Sequence, residues 1–228
     1  MPPIVRRSGP LTSHDNDPTA PTGHAAGGSP SLACDWDARY RAGDAPWESD
    51  TVNPAFETWR AGGLFSDLDH VLIPGAGRSP EVLALARAGV RVTAVDRSDT
   101  ALAGLQDTLD RARAEAPLAA THLVEADLLA WHPADPVDAI YEQTCLCALP
   151  PATWAVYADR LHQWLRPGGR LFALFMQTGQ DGGPPWHCDL NLMGTLFPAA
   201  RWSWDPVAPI TVSRRADRTE RGHILDRR

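Results

Sequence analysis

The sequence predicts an α/β fold: a mostly parallel sheet covered by helices on both faces. Three observations carry that reading. Short apolar runs alternate with amphipathic stretches from residue 71 onward. The first run, Val71-Leu72-Ile73, breaks on the turn Pro74-Gly75-Ala76-Gly77 and restarts as a helix. Acids close later runs, at Asp96, Asp127 and Glu142.

Residues 1 to about 33 are rich in Pro, Gly, Ser and Thr without periodicity, which predicts a disordered leader ahead of a folded domain over 34–228. After the first strand, Ser79, Pro80 and Glu81 read as N-cap, first-turn proline and first-turn acid of a helix through Ala88, ended by Gly89. "VRVTAVD" predicts a second strand ending on Asp96, and Ser98 to about Arg113 a second helix. "THLVEAD" is a third strand ending on Asp127, and "VDAIYE" a fourth ending on Glu142. Leu149-Pro150-Pro151 opens a helix through Leu165 that stops at Pro167-Gly168-Gly169, and "RLFALFM" is a fifth, strongly apolar strand. The tail predicts a helix around Leu190 to Leu196 and strands near Arg201–Asp205 and Gly222–Arg227.

A chain of 228 residues, 43% hydrophobic and 21% charged, suits one globular domain with a sizeable core. Its net charge of -7 argues against nucleic acid or an anionic membrane as partner. The arginine pairs Arg214-Arg215 and Arg227-Arg228 read as a small basic edge. No apolar run approaches membrane-spanning length, and no apolar segment follows Arg6-Arg7 to make an export signal. Four cysteines are too few for a disulfide framework in a chain this long. A cytoplasmic monomer is expected.

The glycine turn raises the question of which nucleotide it holds. Ligands of such sheets sit beyond the carboxyl ends of the strands. Gly75 and Gly77 let the backbone approach a ligand, and Asp96 ends the next strand where an acid meets ribose hydroxyls. A dinucleotide site needs a third glycine three residues after Gly77, and that position is Pro80. S-adenosylmethionine carries no phosphate and needs only the turn, the ribose acid and a polar group near adenine, which Asp127 supplies. The pattern therefore favours that cofactor over NAD.

"CDWDARYRAGDAPWE", "VLIPGAGRSPEVLALARAGVRVTAVDRS", "VDAIYEQTCLCALPP", "LRPGGRLFALF" and "GGPPW" together resemble the thiopurine S-methyltransferase family, nearest its bacterial and plant thiol and halide branch. The resemblance runs in order from about Asp35 to Arg228. It implies the class I methyltransferase, Rossmann-like fold: a seven-stranded sheet with its last strand antiparallel, and an N-terminal segment (34–60) closing over the cofactor. The family closes the site with aromatics at the spacing W-x3-W-x6-W, and Trp36, Tyr40 and Trp47 hold those places, Tyr40 standing where the plant branch has Trp. Gly75 and Gly77 match the cofactor turn, Asp96 the ribose acid, and Asp127-Leu128 the pair beside adenine. Glu142-Gln143-Thr144 match an acid, a Tyr and a Thr, so Gln143 replaces an aromatic near cofactor and substrate.

The resemblance implies methyl transfer to a small soft nucleophile: a thiol, with selenium species or halide ions as further acceptors. Displacement at a sulfonium methyl asks for alignment and a dry cavity, and a thiolate needs little help from a base. No catalytic dyad is expected; Gln143, Thr144 and His187 are candidates for the substrate side. Two alternatives stand beside this reading. One is a small-molecule O- or N-methyltransferase using Glu142 or His187 as base; the other is a non-catalytic cofactor-binding module. Cys145 and Cys147 lack the second pair of a zinc site and read as small buried hydrophobes, and Cys188 follows His187 in a loop.

Overall fold

A computed structural model describes residues 34–228 except Ala216. The expectation of a disordered leader and the Arg6-Arg7 pair lie outside the described residues. Five parallel strands form the frame: β1 (His70–Pro74), β2 (Arg91–Asp96), β3 (Thr121–Glu125), β4 (Val137–Gln143) and β5 (Leu165–Gln177). Three more follow: β6 (Trp202–Trp204), β7 (Ile210–Arg215) and β8 (Arg218–Arg227). The order is β3-β2-β1-β4-β5-β8-β6, with β7 also paired to β8. β8 runs antiparallel to β5, Arg170 opposite Asp226 through Gln177 opposite Thr219. Its other edge holds β6 at Leu225–Arg227 and β7 at Arg218–Gly222. Among the described residues the path from β3 to β6 holds the seven strands expected, with antiparallel strands at one end, and β7, paired to β8 off the path, is an eighth.

Among the described residues six α-helices cover the sheet: α1 (Trp36–Arg41), α2 (Pro54–Ala61), α3 (Pro80–Arg87), α4 (Asp99–Glu115), α5 (Trp154–Trp164) and α6 (Leu190–Leu196). Side-chain alternation along the strands divides the core in two. Val71 and Ile73 of β1, with Phe172 and Leu174 of β5, pack toward Phe56, Trp59, Leu85 and Leu105. Leu72, with Leu171, Ala173 and Phe175, packs toward Tyr157, Leu161 and Trp164 of α5. No described helix is long and apolar enough to cross a membrane.

Several local expectations change. Ser79 holds the N-cap position of α3 but makes no cap; its hydroxyl donates instead to Glu81 Oε2 at 2.5 Å. Ser98 does cap α4, accepting from the Ala101 N–H at 3.1 Å. The third strand stops at Glu125: Ala126 N makes the last bond to β2, at Asp96 O, and the chain then turns at Asp127, whose carbonyl accepts from Ala130 N and Trp131 N. Pro151–Thr153 forms one 3-10 turn before α5 begins at Trp154. Helix α5 ends at Trp164, not at Pro167-Gly168-Gly169. Leu165 already pairs with Val137, and the next pair, Ala139 with Arg170, leaves the intervening residues as a bulge inside β5.

Candidate functional site

The site is built at the carboxyl ends of β1, β2 and β4. After Pro74 the chain enters the left-handed region at Gly75 (φ 59°) and Gly77 (φ 52°). Both positions exclude a side chain for packing reasons as well. A Cβ on Gly75 would lie 2.8 Å from Cys145 Sγ, and one on Gly77 would collide with the Tyr40 hydroxyl. The turn is held by Asp96: its Oδ2 accepts from Gly77 N at 2.7 Å and its Oδ1 from Ser98 N at 2.9 Å. Burial raises the Asp96 pKa, while these donors oppose the shift. Each carboxylate oxygen keeps a second acceptor site. The acid can therefore hold the turn and still accept a ribose hydroxyl.

Over this corner lies the N-terminal segment. Asp35 caps α1 by accepting from Ala38 N at 2.9 Å. Asp37 docks the helix onto the start of α4, its Oδ1 accepting from Ser98 Oγ at 2.7 Å and Thr100 N at 3.1 Å. Those bonds hold the Asp37 carboxyl well below its usual range. Trp47 stands edge-on to Trp36 and Tyr40, with centroids at 5.2 and 5.6 Å, and donates from Nε1 to the Tyr40 hydroxyl at 2.9 Å. Arg39 covers one face of Trp47, its Cζ 4.3 Å from the ring centroid. Further along, Ala55, Phe56 and Trp59 of α2 sit in the core, so only the earlier part of 34–60 roofs the site.

Between roof and strand ends lies a cavity of about 420 Å³, within the range of small-molecule sites. Trp36, Tyr40, Trp47, Gly75, Asp96, Asp127, Leu128 and Thr144 all line it. The apolar part of its lining is sulfur-rich: Cys145, which lies against Gly75, with Cys147, Ala148, Leu149, Met176 and Pro184. The loop carrying Pro184 is pinned there by Trp186 N donating to Cys147 O at 2.7 Å. Thr144 has φ 56°, a left-handed conformation rare for a β-branched residue and characteristic of functional turns.

Residues 33–209 match the family described as Thiopurine S-methyltransferase. The chain belongs to that family. A thiopurine S-methyltransferase of Pseudomonas fluorescens (strain SBW25) is 30% identical over 181 residues, 74% of this chain and 82% of its own length. A probable thiol methyltransferase 2 of Arabidopsis thaliana is 28% identical over 160 residues, 68% of each chain. Among solved structures, the fold is similar to the Burkholderia thailandensis 1,6-didemethyltoxoflavin-N1-methyltransferase with bound 1,6-didemethyltoxoflavin and S-adenosylhomocysteine, at TM-score 0.67, 21% identity and 85% coverage of both chains.

Within this member of the thiopurine S-methyltransferase family, four sequence candidates stand off the main cavity. Gly77 and Gln143 line a smaller pocket beside it, and Gln143 Oε1 accepts from the Tyr141 hydroxyl at 2.6 Å. Glu142 is only 2% exposed and points away, its Oε1 accepting from Leu146 N at 2.6 Å. His187 turns its Nδ1 to the backbone N–H groups of Thr178 and Gly179, at 3.1 and 3.3 Å. Asp127 lines the cavity two residues beyond its strand, its Oδ1 accepting from Leu129 N at 2.9 Å. The basic-edge reading fails at Arg214. Its side chain is 18% exposed, lies 3.7 Å from the fully buried Glu220 carboxylate and lines the cavity. Arg228 stays exposed, donating from Nε to Trp202 O at 3.2 Å. The signal for Arg214 lies in the β7–β8 hairpin, where it is the unpaired residue at the irregularity between the Ser213–Thr219 and Arg215–Arg218 pairs.

Proposed function

We propose that this protein is an S-adenosylmethionine-dependent methyltransferase acting on a small soft nucleophile, most readily a thiol sulfur, with selenium species and halide ions as further acceptors. The observation that carries the reading is the composition of the cavity. It joins a strand-end acid and a glycine turn suited to a nucleoside to a sulfur-rich apolar lining. Neither Glu142 nor His187 lines the space between. The family and its thiol methyltransferase relatives support the same chemistry.

The residues present fit that donor. Asp96 accepts from the ribose hydroxyls, Asp127 and Leu128 flank adenine, and Gly75 lets the chain pass close to the sulfonium. Bound there, the donor supplies a methyl group already activated for displacement. Trp36, Tyr40 and Trp47 exclude water, and the Cys145–Leu149 turn with Met176 gives a polarisable wall against which a soft acceptor aligns. Arg218 on the same wall favours an anionic acceptor. The methyl group would pass to a thiolate, which has already lost its proton to water, and the electron pair of the broken S–CH3 bond would stay on the donor sulfur. The products are a thioether and S-adenosylhomocysteine.

Labelled donor and a panel of thiols with graded pKa values test the reading. The rising limb of rate against pH should move with the thiol. A limb fixed across the panel, abolished in Glu142→Gln or His187→Ala, would instead mark oxygen or nitrogen methylation with an enzymic base.

A further inference from the structure

The small pocket beside the main cavity holds about 50 Å³ and runs under the roof along Gly75 to Glu81. Two opposite charges line both spaces, Glu48 just after Trp47 and Arg214 on β7. The reading above gives neither a role.

Arg214 is fixed on two sides. Its Nε faces Glu220 Oε2 at 3.7 Å, and its Nη2 donates to the Trp47 carbonyl at 3.1 Å. Glu220 is itself held by Asn53 Nδ2 at 2.8 Å, so the guanidinium has a rigid support behind it and the roof above it. A fixed planar fork of N–H donors suits a carboxylate. Glu48 is engaged on one oxygen only: Oε2 lies 3.4 Å from Arg78 Nη1, while Oε1 is sealed from solvent with no hydrogen-bond partner among the described residues. Burial raises its pKa above the usual carboxylate value. A sealed acceptor without a donor is costly and calls for a partner. Glu48 borders both spaces, and its terminal torsion is soft enough to exchange the two oxygens.

The order of groups along the cavity then matters. Asp96 and Asp127 lie at the nucleoside end, Gly75 and Thr144 belong to both spaces, and Glu48 and Arg214 border the small pocket. A nucleoside at the acid end sends its 5′ substituent past Gly75 toward that pocket. In S-adenosylmethionine this substituent ends in an α-ammonium and an α-carboxylate. We propose that Glu48 and Arg214 seat this zwitterionic end, Glu48 accepting from the ammonium and Arg214 donating to the carboxylate. The inference rests on the donor assignment in the proposed function, and it extends the binding set to a charged pair drawn from the two ends of the domain.

Calorimetry with three ligands separates the parts: S-adenosylhomocysteine carries both charged groups, decarboxylated S-adenosylmethionine only the ammonium, and 5′-methylthioadenosine neither. Arg214→Met should weaken S-adenosylhomocysteine by about tenfold to a hundredfold and leave the other two within about twofold. Arg214→Lys should restore part of the loss. Glu48→Gln should weaken both ammonium-bearing ligands and spare 5′-methylthioadenosine, whose retained affinity also reports an intact fold. Equal losses across all three ligands would overturn the proposal as a general structural effect. Unchanged S-adenosylhomocysteine affinity with a raised KM for the acceptor would overturn it by giving Arg214 to the acceptor. Wild-type protein that binds none of the three would overturn the donor assignment itself.

Discussion

Gly77→Ala tests how tightly the roof is keyed to the glycine turn. At φ 52° an alanine pays the left-handed penalty, about 1–2 kcal/mol. Its Cβ would also displace the Tyr40 hydroxyl, which accepts from Trp47 Nε1 at 2.9 Å. Losing that bond adds about 0.5–1.5 kcal/mol. The variant should therefore lose about 1.5–3.5 kcal/mol, a fall of about 3–14 °C in Tm for a domain of this size. The decisive measurement is a thermal-unfolding cycle with Tyr40→Phe, which removes the colliding oxygen and leaves a ring carbon 3.4 Å from the new methyl. In that background Gly77→Ala should cost only the backbone part, so the pair should couple by about 1 kcal/mol. S-adenosylhomocysteine affinity should follow, falling in Gly77→Ala and recovering in part in the double variant. Equal costs in both backgrounds would refute the keying of turn to roof.

Two further outcomes are expected. Burial lifts the Glu142 carboxyl from 4.5 to about 7, so the folded state favours its neutral form; that contribution is complete below about pH 4.5 and lost as pH rises through about 7. Glu142→Gln, which keeps an acceptor for Leu146 N, should therefore be more stable than wild type at pH 8 by up to about 3 kcal/mol, with the gap closing near pH 4; a less stable variant at pH 8 would contradict this. His187→Ala should cost about 1 kcal/mol or less, since water can reach the N–H groups it serves, and should leave the rising limb of the rate–pH profile in place.

What the chain revealed in advance follows a physical division. Strand and helix periods, the glycine turn and the acid at Asp96 are local signals, and each depends on residues within a few positions. The start of β5 is harder to read because Pro167-Gly168-Gly169 is a stop signal for a helix and equally a bulge in a strand; only pairing with β4 decides between them. Glu142 looked like a site acid because it closes an apolar run. The strand ends between the two: Glu142 stays buried with its carboxylate on Leu146 N, while the left-handed turn at Thr144 brings that residue to the cavity. Arg214 was illegible for the opposite reason. Its role depends on Glu220, across the hairpin, and on Trp47, at the far end of the domain.

The sulfur-rich wall has a chemical consequence for the protein itself. Cys145 and Cys147 border the cavity proposed to hold an alkylating agent, and a thiolate on either would compete with any incoming acceptor. Burial pushes both thiols well above their ordinary range, and the Cys147 S–H is directed to Thr144 O at 3.4 Å. At neutral pH both stay protonated, and a protonated thiol is a poor nucleophile. An acceptor that ionises in water arrives as the anion and wins the methyl group. The dryness that speeds the transfer thereby also guards these cysteines against self-alkylation.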